Sequence, residues 1–407
     1  MLLRALRVIG ASAALTVGLA GTIACSQPSS VPGGGGAGST SSPARTDTPS
    51  LKVSTVARGL SHPWDVGFLP DGQMLVTQRP GRLALLSSGQ PGATVTTVEA
   101  DFADVLVQGE GGLMGLVVHP DFGSSRRFTT CQTHTTGGTA DDIRLVTWEL
   151  SADSRSARKV KDPLVGGLPV NPSGRHSGCR PTLGADGALL VGTGDTARGN
   201  IAQDRGSLGG KVLRVDLATG GPAPGSPFAG SANANEPLVY TYGHRNVQGV
   251  AVQPGTGRVF TAEHGPTRDD EVNLLRPGTN YGWDPSKGGT VGGYDESVPM
   301  TDLQRFPDAV RAVWSSGSPV EAICGLAILS GQQWGSLDGA LAVAALRGSK
   351  LLLMTLGADG AVAQVSVPAQ LDDTFGRLRG ARLGPDGALY VTSSNGTDDV
   401  VLRVEPA

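Results

Sequence analysis

A short phrase recurs along this chain: a turn of the Pro-Asp-Gly type, followed at once by an alternating apolar run. It stands as Leu69-Pro70-Asp71-Gly72 before Met74-Leu75-Val76, as Gly184-Ala185-Asp186-Gly187 before Leu189-Leu190-Val191, and as Gly384-Pro385-Asp386-Gly387 before Leu389-Tyr390-Val391. A looser copy, Pro254-Gly255-Thr256-Gly257, precedes Val259-Phe260. Asp and Gly supply the backbone conformations of a tight turn, and the run after them fits a pleated strand. The chain therefore reads as hairpins in series. No stretch of several turns carries apolar residues at three- and four-residue spacing, which argues against crossover helices and a parallel sheet. A sandwich, a barrel or a propeller remains. The 61 glycines, 27 prolines and 17% charged residues of the 407 agree with a turn-rich all-β domain. Roughly 350 residues, at about 40–50 or more per four-stranded blade, allow six to eight blades. A strand near Leu51 to Val56 is expected to pair with one near Val400 to Val404, so that no open edge remains.

The N-terminus reads as a targeting segment. Arg4 and Arg7 precede the apolar run Val8 to Ala20, which is shorter than the roughly 20 residues a lone spanning helix needs. Thr22-Ile23-Ala24-Cys25 follows and resembles a bacterial lipoprotein lipobox, with Thr22 where Leu is more usual. The expected organisation is a signal peptide over 1–24, a lipid-bearing Cys25 with a flexible Ser/Gly/Pro linker over 25–50, and a folded domain over 51–407. This would anchor the protein to the membrane through lipid alone, outside the cytoplasm. The alternative is an ordinary secretory signal with an incidental cysteine. A net charge of −3 gives no reason to expect a nucleic-acid partner. Of the remaining cysteines, Cys131 and Cys179 both lie in the front half and form the expected disulfide of an exported protein. Cys324 sits in the apolar run Ala322 to Leu329 and is expected to be a buried small hydrophobe.

Chemically specific residues concentrate between Tyr242 and Trp283: Gly243-His244-Arg245-Asn246, Glu263-His264-Gly265-Pro266, Asp269-Asp270-Glu271-Val272-Asn273 and Asn280-Tyr281-Gly282-Trp283. A permanent cation beside an amide suits a planar anionic ligand. Carboxylates beside a Gly-Pro turn, whose carbonyls must point somewhere, suit a hard cation such as calcium. Upstream, Gly109-Glu110-Gly111-Gly112-Leu113-Met114-Gly115 leads into His119-Pro120-Asp121-Phe122, and Gly174-Arg175-His176-Ser177-Gly178-Cys179 precedes a hairpin ending Gly192-Thr193-Gly194-Asp195. His119 and Asp121 read as corner residues, Lys211 and Arg214 as structural ones. Downstream, Arg377 and Arg379 alternate across Leu378, so on a strand both side chains share a face.

These motifs, in this order, resemble the glucose/sorbosone dehydrogenase family of soluble quinoproteins. The resemblance runs from about Leu51 to about Val404. It implies a six-bladed propeller of four-stranded antiparallel blades that carries pyrroloquinoline quinone (PQQ) and calcium. It further implies oxidation of an aldose at C1 to the lactone, with His176 as general base, Arg245 as stabiliser of developing charge, and an external electron acceptor. Glu110, Asn246, Arg347, Arg377 and Arg379 fall on cofactor-binding positions, although Arg347 stands where some relatives have lysine. The carbonyls of Gly265 and Pro266 would hold an ion facing the quinone, and Glu271, with Tyr294 and Glu296, a structural ion. Arg175 and Cys179 depart from the family pattern, where an acidic or amide residue and a glycine are common. Such departures keep a second expectation open: a non-catalytic propeller lipoprotein that binds a sugar, a cell-wall glycan or a protein.

Overall fold

A computed structural model describes residues 47–286 and 293–407. The proposed leader, Cys25 and nearly all of the linker lie outside these residues. The described chain forms six antiparallel sheets of four strands each. Blade I comprises β2 (Pro63–Phe68), β3 (Met74–Gln78), β4 (Arg82–Leu86) and β5 (Val95–Val98). Blade II comprises β6 (Leu113–Val118), β7 (Arg127–Thr136), β8 (Thr139–Leu150) and β9 (Ala157–Leu168). Blade III holds β10 (Arg180–Leu183), β11 (Leu189–Gly192), β12 (Lys211–Val215) and β13 (Val239–Tyr242). Blade IV holds β14 (Val247–Val252), β15 (Val259–Glu263), β16 (Glu271–Leu274) and β17 (Trp314–Ser315). Blade V is β18 (Ile323–Ile328), β19 (Leu341–Ala345), β20 (Lys350–Leu356) and β21 (Val362–Ser366). Blade VI is β22 (Leu378–Leu383), β23 (Leu389–Ser393), β24 (Asp399–Pro406) and, on its outer edge, β1 (Leu51–Leu60).

The first strand of every blade touches the first strand of the next, and β2 touches β22, so the ring is closed. Closure is covalently indirect but complete: Val53 lies opposite Val404, and Leu51 opposite Pro406. The architecture is the six-bladed propeller implied by the resemblance.

The recurrent turn has one structural job. Its copies are the first hairpins of blades I, III, IV and VI, each delivering the second strand of its blade. Gly72, Gly187 and Gly387 adopt φ of 84°, 82° and 76° and donate to Leu69, Gly184 and Gly384, each at 3.0 Å. A side chain there would be strained, which is why the phrase needs its glycine. Blade II departs: the corner after His119 is a one-turn helix, α1 (Phe122–Ser125), instead of a Gly turn.

Between blades the faces are apolar. Leu389, Val391, Leu402, Ala342, Ala344 and Leu353 join one cluster between blades V and VI, and Leu145, Leu189, Val191 and Leu213 join another between II and III. Burying each such Leu or Val contributes roughly 1.5–3 kcal/mol. Trp64, Trp148 and Trp334 fill the larger gaps. Cys131 on β7 is joined to Cys179, just ahead of β10, with Cα atoms 6.2 Å apart. Cys324 is buried and free.

Candidate active site

Antiparallel pairing fixes which end of each blade carries chemistry. Pro63 of β2 lies opposite Gln78, Arg180 opposite Gly192, Val247 opposite Glu263, and Leu378 opposite Ser393. First strands therefore start, and second strands end, on one face of the ring. His176 precedes β10, Asp195 follows β11, Arg245 and Asn246 precede β14, Gly265 and Pro266 follow β15, and Arg377 and Arg379 open β22. Residues far apart in the chain thus share one rim. A cavity of about 410 Å³ lined by His119, Asp121 and Arg127 opens at the other ends of blades II and III. There His119 Nε2 is bonded to Thr129 Oγ1 at 2.8 Å, as a corner residue would be.

His176 is buried and held in a left-handed conformation, φ 51°. Its Nδ1 donates to Asp195 Oδ1 at 2.7 Å. The other carboxylate oxygen accepts from Trp283 Nε1 at 2.7 Å and from the Tyr294 hydroxyl at 2.8 Å. Burial alone would push the Asp195 carboxyl up, but the charges of His176 and Arg245 and the bond from Trp283 hold it below the usual range. An ionised carboxylate on Nδ1 fixes the tautomer and leaves Nε2 as the acceptor.

The backbone N–H of Asp195 donates to the Arg245 carbonyl at 2.8 Å, and Gly194 bridges to Asn246, so the histidine and the arginine are built on adjoining turns. Arg245 Nη1 donates to the His264 carbonyl at 2.7 Å and Nη2 to Glu296 at 2.6 Å. Asn246 Oδ1 accepts from Gly178 N–H at 3.1 Å, and its amide donates to Glu110 at 2.9 Å. Glu110 also accepts from Gln248 at 2.9 Å and from the His176 N–H at 3.4 Å. The glycines beside Glu110 have a definite reason: Gly112 has φ 151°, and a Cβ there would meet the Arg79 carbonyl at 2.2 Å.

Two groups of unsatisfied atoms face ligands of opposite charge. Among the described residues, Arg79, Arg377 and Arg379 form no ion pair with a carboxylate, and the Nε atoms of Arg79, Arg245 and Arg379 are buried without a partner. Arg379 Nη1 reaches only the neutral Gln248 side chain, at 3.3 Å. Three unpaired cations suit a ligand bearing several carboxylates. Conversely, no described residue donates a hydrogen bond to the carbonyls of Gly265 or Pro266, which suits a hard cation. Deeper, Glu271 is pushed up to about 8 by burial and by Glu263, and accepts from Thr301 at 3.1 Å. Two buried carboxylates so close are the donor set a dication would relieve.

Three expected roles change in the structure. Tyr294 and Glu296 do not accompany Glu271. Tyr294 closes over His176 and Asp195, and Glu296 bridges Arg245 and Arg175, the latter at 3.0 Å. They lie in the described stretch 293–313 ahead of β17, against His176 and Arg245 on the rim, so nearness to Glu271 in sequence does not bring them near it in space. Arg347 stays exposed in the turn between β19 and β20, where, among the described residues, its backbone N–H donates to the Glu321 carbonyl and its side chain has no hydrogen-bond partner. Asp195 and Arg79, both essential to this geometry, carried no motif of their own. Asp195 closes the Gly192-Thr193-Gly194-Asp195 run, and its place directly after a strand is the sequence signal for it.

The profile of the Glucose / Sorbosone dehydrogenase family matches residues 60–402. The chain belongs to this family. Among its relatives, aldose sugar dehydrogenase YliI of Escherichia coli (strain K12) is 29% identical over 365 residues, which cover 88% of this chain and 93% of that protein. Quinoprotein glucose dehydrogenase B of Acinetobacter calcoaceticus is 28% identical over 266 residues, 59% of this chain and 54% of that one. The PQQ-bound form of aldose sugar dehydrogenase from Streptomyces coelicolor superposes with a TM-score of 0.70 at 31% identity, covering 89% of this chain and 99% of that structure. The ring of blades is thus shared with an aldose sugar dehydrogenase of known structure.

Proposed function

We propose that the protein is a PQQ- and calcium-dependent aldose dehydrogenase that oxidises a sugar at C1 to its lactone. The observation that carries this reading is the His176–Asp195 pair standing on the same rim as Arg245 and the unpaired arginines. Arg377 and Arg379 would hold quinone carboxylates, and Arg245 and Asn246 its carbonyl edge. The carbonyls of Gly265 and Pro266 would hold calcium, and Glu271 with Glu263 a second, structural ion. The quinone, when bound, supplies the two-electron acceptor that no amino-acid side chain offers.

The chain's own residues do the rest. Asp195 keeps His176 in the tautomer whose Nε2 accepts the proton of the C1 hydroxyl. Tyr294 and Trp283 crowd the carboxylate, exclude water from it and so preserve its bond to Nδ1. Arg245 presents a buried guanidinium where negative charge develops, and its two fixed partners, His264 and Glu296, hold it there.

Purified protein supplied with PQQ and calcium is expected to reduce an artificial dye with aldoses. Absence of quinone binding at micromolar concentration eliminates the reading and leaves a propeller that binds sugar, glycan or protein without turnover. The address is a proposal resting on the leader and Cys25: an exported lipoprotein on the outer side of the membrane, passing electrons to an external acceptor. Recovery of the full-length protein in the soluble fraction of its host, without lipid, would refute it.

A further inference from the structure

We propose that Arg79 is the third cation of the quinone pocket and holds a carboxylate together with Arg377 and Arg379. The inference rests on the PQQ reading above and replaces Arg347 in that role. Arg79 follows β3 in blade I, and Arg377 and Arg379 open β22 in blade VI, its neighbour across the closure of the ring. Both places lie on the site face, because Gln78 ends its strand opposite Pro63 and Leu378 begins its own opposite Ser393.

The backbone of Arg79 is clamped from two sides. Its N–H donates to the His62 carbonyl and its carbonyl accepts from the Leu113 N–H, both at 3.0 Å. Its Nη1 donates to the carbonyl of Gly109, beside Glu110, so the guanidinium lies against the loop that holds Asn246. Its Nε is buried and unpartnered, as is that of Arg379, whose guanidinium sits 5.4 Å from the Trp64 ring. Asp399, the carboxylate beside His62, is already occupied by Ser393, Asn395, Gly396 and the His62 N–H.

Three guanidiniums gathered without a carboxylate repel one another, and such an arrangement is stabilised by an anion that touches all three. Burial and the charges of Arg379 and Arg377 indeed push Arg79 below its ordinary value. A rigid, planar polycarboxylate matches the fixed forks of three arginines better than a point anion does. Arg347 and Arg377 are both exposed, but it is Arg377, with Arg379, whose charge acts on Arg79.

The test compares the calcium-loaded wild type with Arg79→Gln and Arg79→Lys by PQQ titration, read from quenching of tryptophan fluorescence, and by thermal shift of the quinone-free protein with citrate. Losing one charge-assisted contact is expected to weaken PQQ binding by about tenfold or more, with partial recovery in Arg79→Lys, whose charge also guards against a folding artefact. The citrate shift is expected to shrink in Arg79→Gln. Wild-type PQQ affinity and an unchanged citrate shift in Arg79→Gln overturn the inference while the quinone reading stands. A wild type that ignores PQQ but shows an Arg79-dependent citrate shift sinks the quinone reading and keeps the anion pocket.

Discussion

His176 would be an unremarkable loop histidine were it not for what touches it. A buried imidazole with Asp195 on Nδ1 has one nitrogen free for a substrate proton, and the carboxylate is itself fixed by Trp283 and Tyr294. His176→Gln is expected to lower kcat on the order of 10²–10⁴-fold while leaving the PQQ titration close to wild type. Unchanged turnover in that variant refutes the assigned base. Asp195→Asn keeps the shape but lets the amide donate toward Nδ1, so the wrong tautomer gains population. Its signature is a fall in kcat with little change in KM. At this scale the sequence was informative where a residue type is rare and charged, as at Arg245 and Arg379. It was silent where role depends on contact: Asp195 and Arg79 look like any turn residues, and Tyr294 and Glu296 lie against Asp195 and Arg245, not with Glu271 as their nearness in sequence suggests.

The elements that carry these residues are short strands tied by turns, and one covalent tie stands out. The Cys131–Cys179 disulfide crosses from β7 to the turn ahead of β10, three positions after His176 and directly after Gly178, which donates to Asn246. It closes a loop of sequence separation 48, and removing such a link costs about 2–5 kcal/mol in this size range. Cys131→Ala with Cys179→Ala is therefore expected to lower the denaturation midpoint by that amount and to reduce kcat, since the base sits on the released segment. Both sulfurs are buried, so mild reductant should leave the folded protein's activity unchanged; rapid loss of activity in reductant would show the bond to be reachable. The hairpins themselves were legible because Asp-Gly turns and alternating runs are local signals. The corner of blade II was legible as a corner at His119 and Asp121, but its helical turn was not, because Phe122 there packs against Phe128 and Trp148 and no Asp-Gly pair marks the turn.

Across the whole molecule, a charged network spans the middle of the ring. Asp65 on β2 pairs with Arg180 of β10 and Arg382 of β22, each at 2.7 Å, and accepts from the Leu116 N–H of β6 at 3.2 Å. Arg180 in turn donates to the Gln248 carbonyl of β14 at 2.7 Å. Five blades meet through one carboxylate and its partners. Burial alone would raise the Asp65 carboxyl, but Arg180 and Arg382 hold it below its ordinary value. A group whose folded pKa is depressed stabilises the fold above its unfolded value, and that stability is lost as pH falls through the folded one. The melting temperature is thus expected to drop as pH falls below about 4. Asp65→Asn is expected to be less stable by about 3–5 kcal/mol at neutral pH, with an unpaired buried Arg180, and to show a weaker acid dependence. An equally steep acid loss in that variant rules out Asp65 as its source.

By itself the sequence determined the β class, the hairpin unit, the closing strand pair and the family, because turn chemistry and strand alternation act between near neighbours and the motifs keep their order. The number of blades came through resemblance, since composition allows more than one. What only the tertiary structure decided was which groups meet: His176 with Asp195, Arg79 with Arg377 and Arg379, Glu296 between two arginines, Asp65 at the hub. Those meetings depend on ring closure, which brings the same end of every blade to one rim, and no local pattern of residues encodes a distance across a ring.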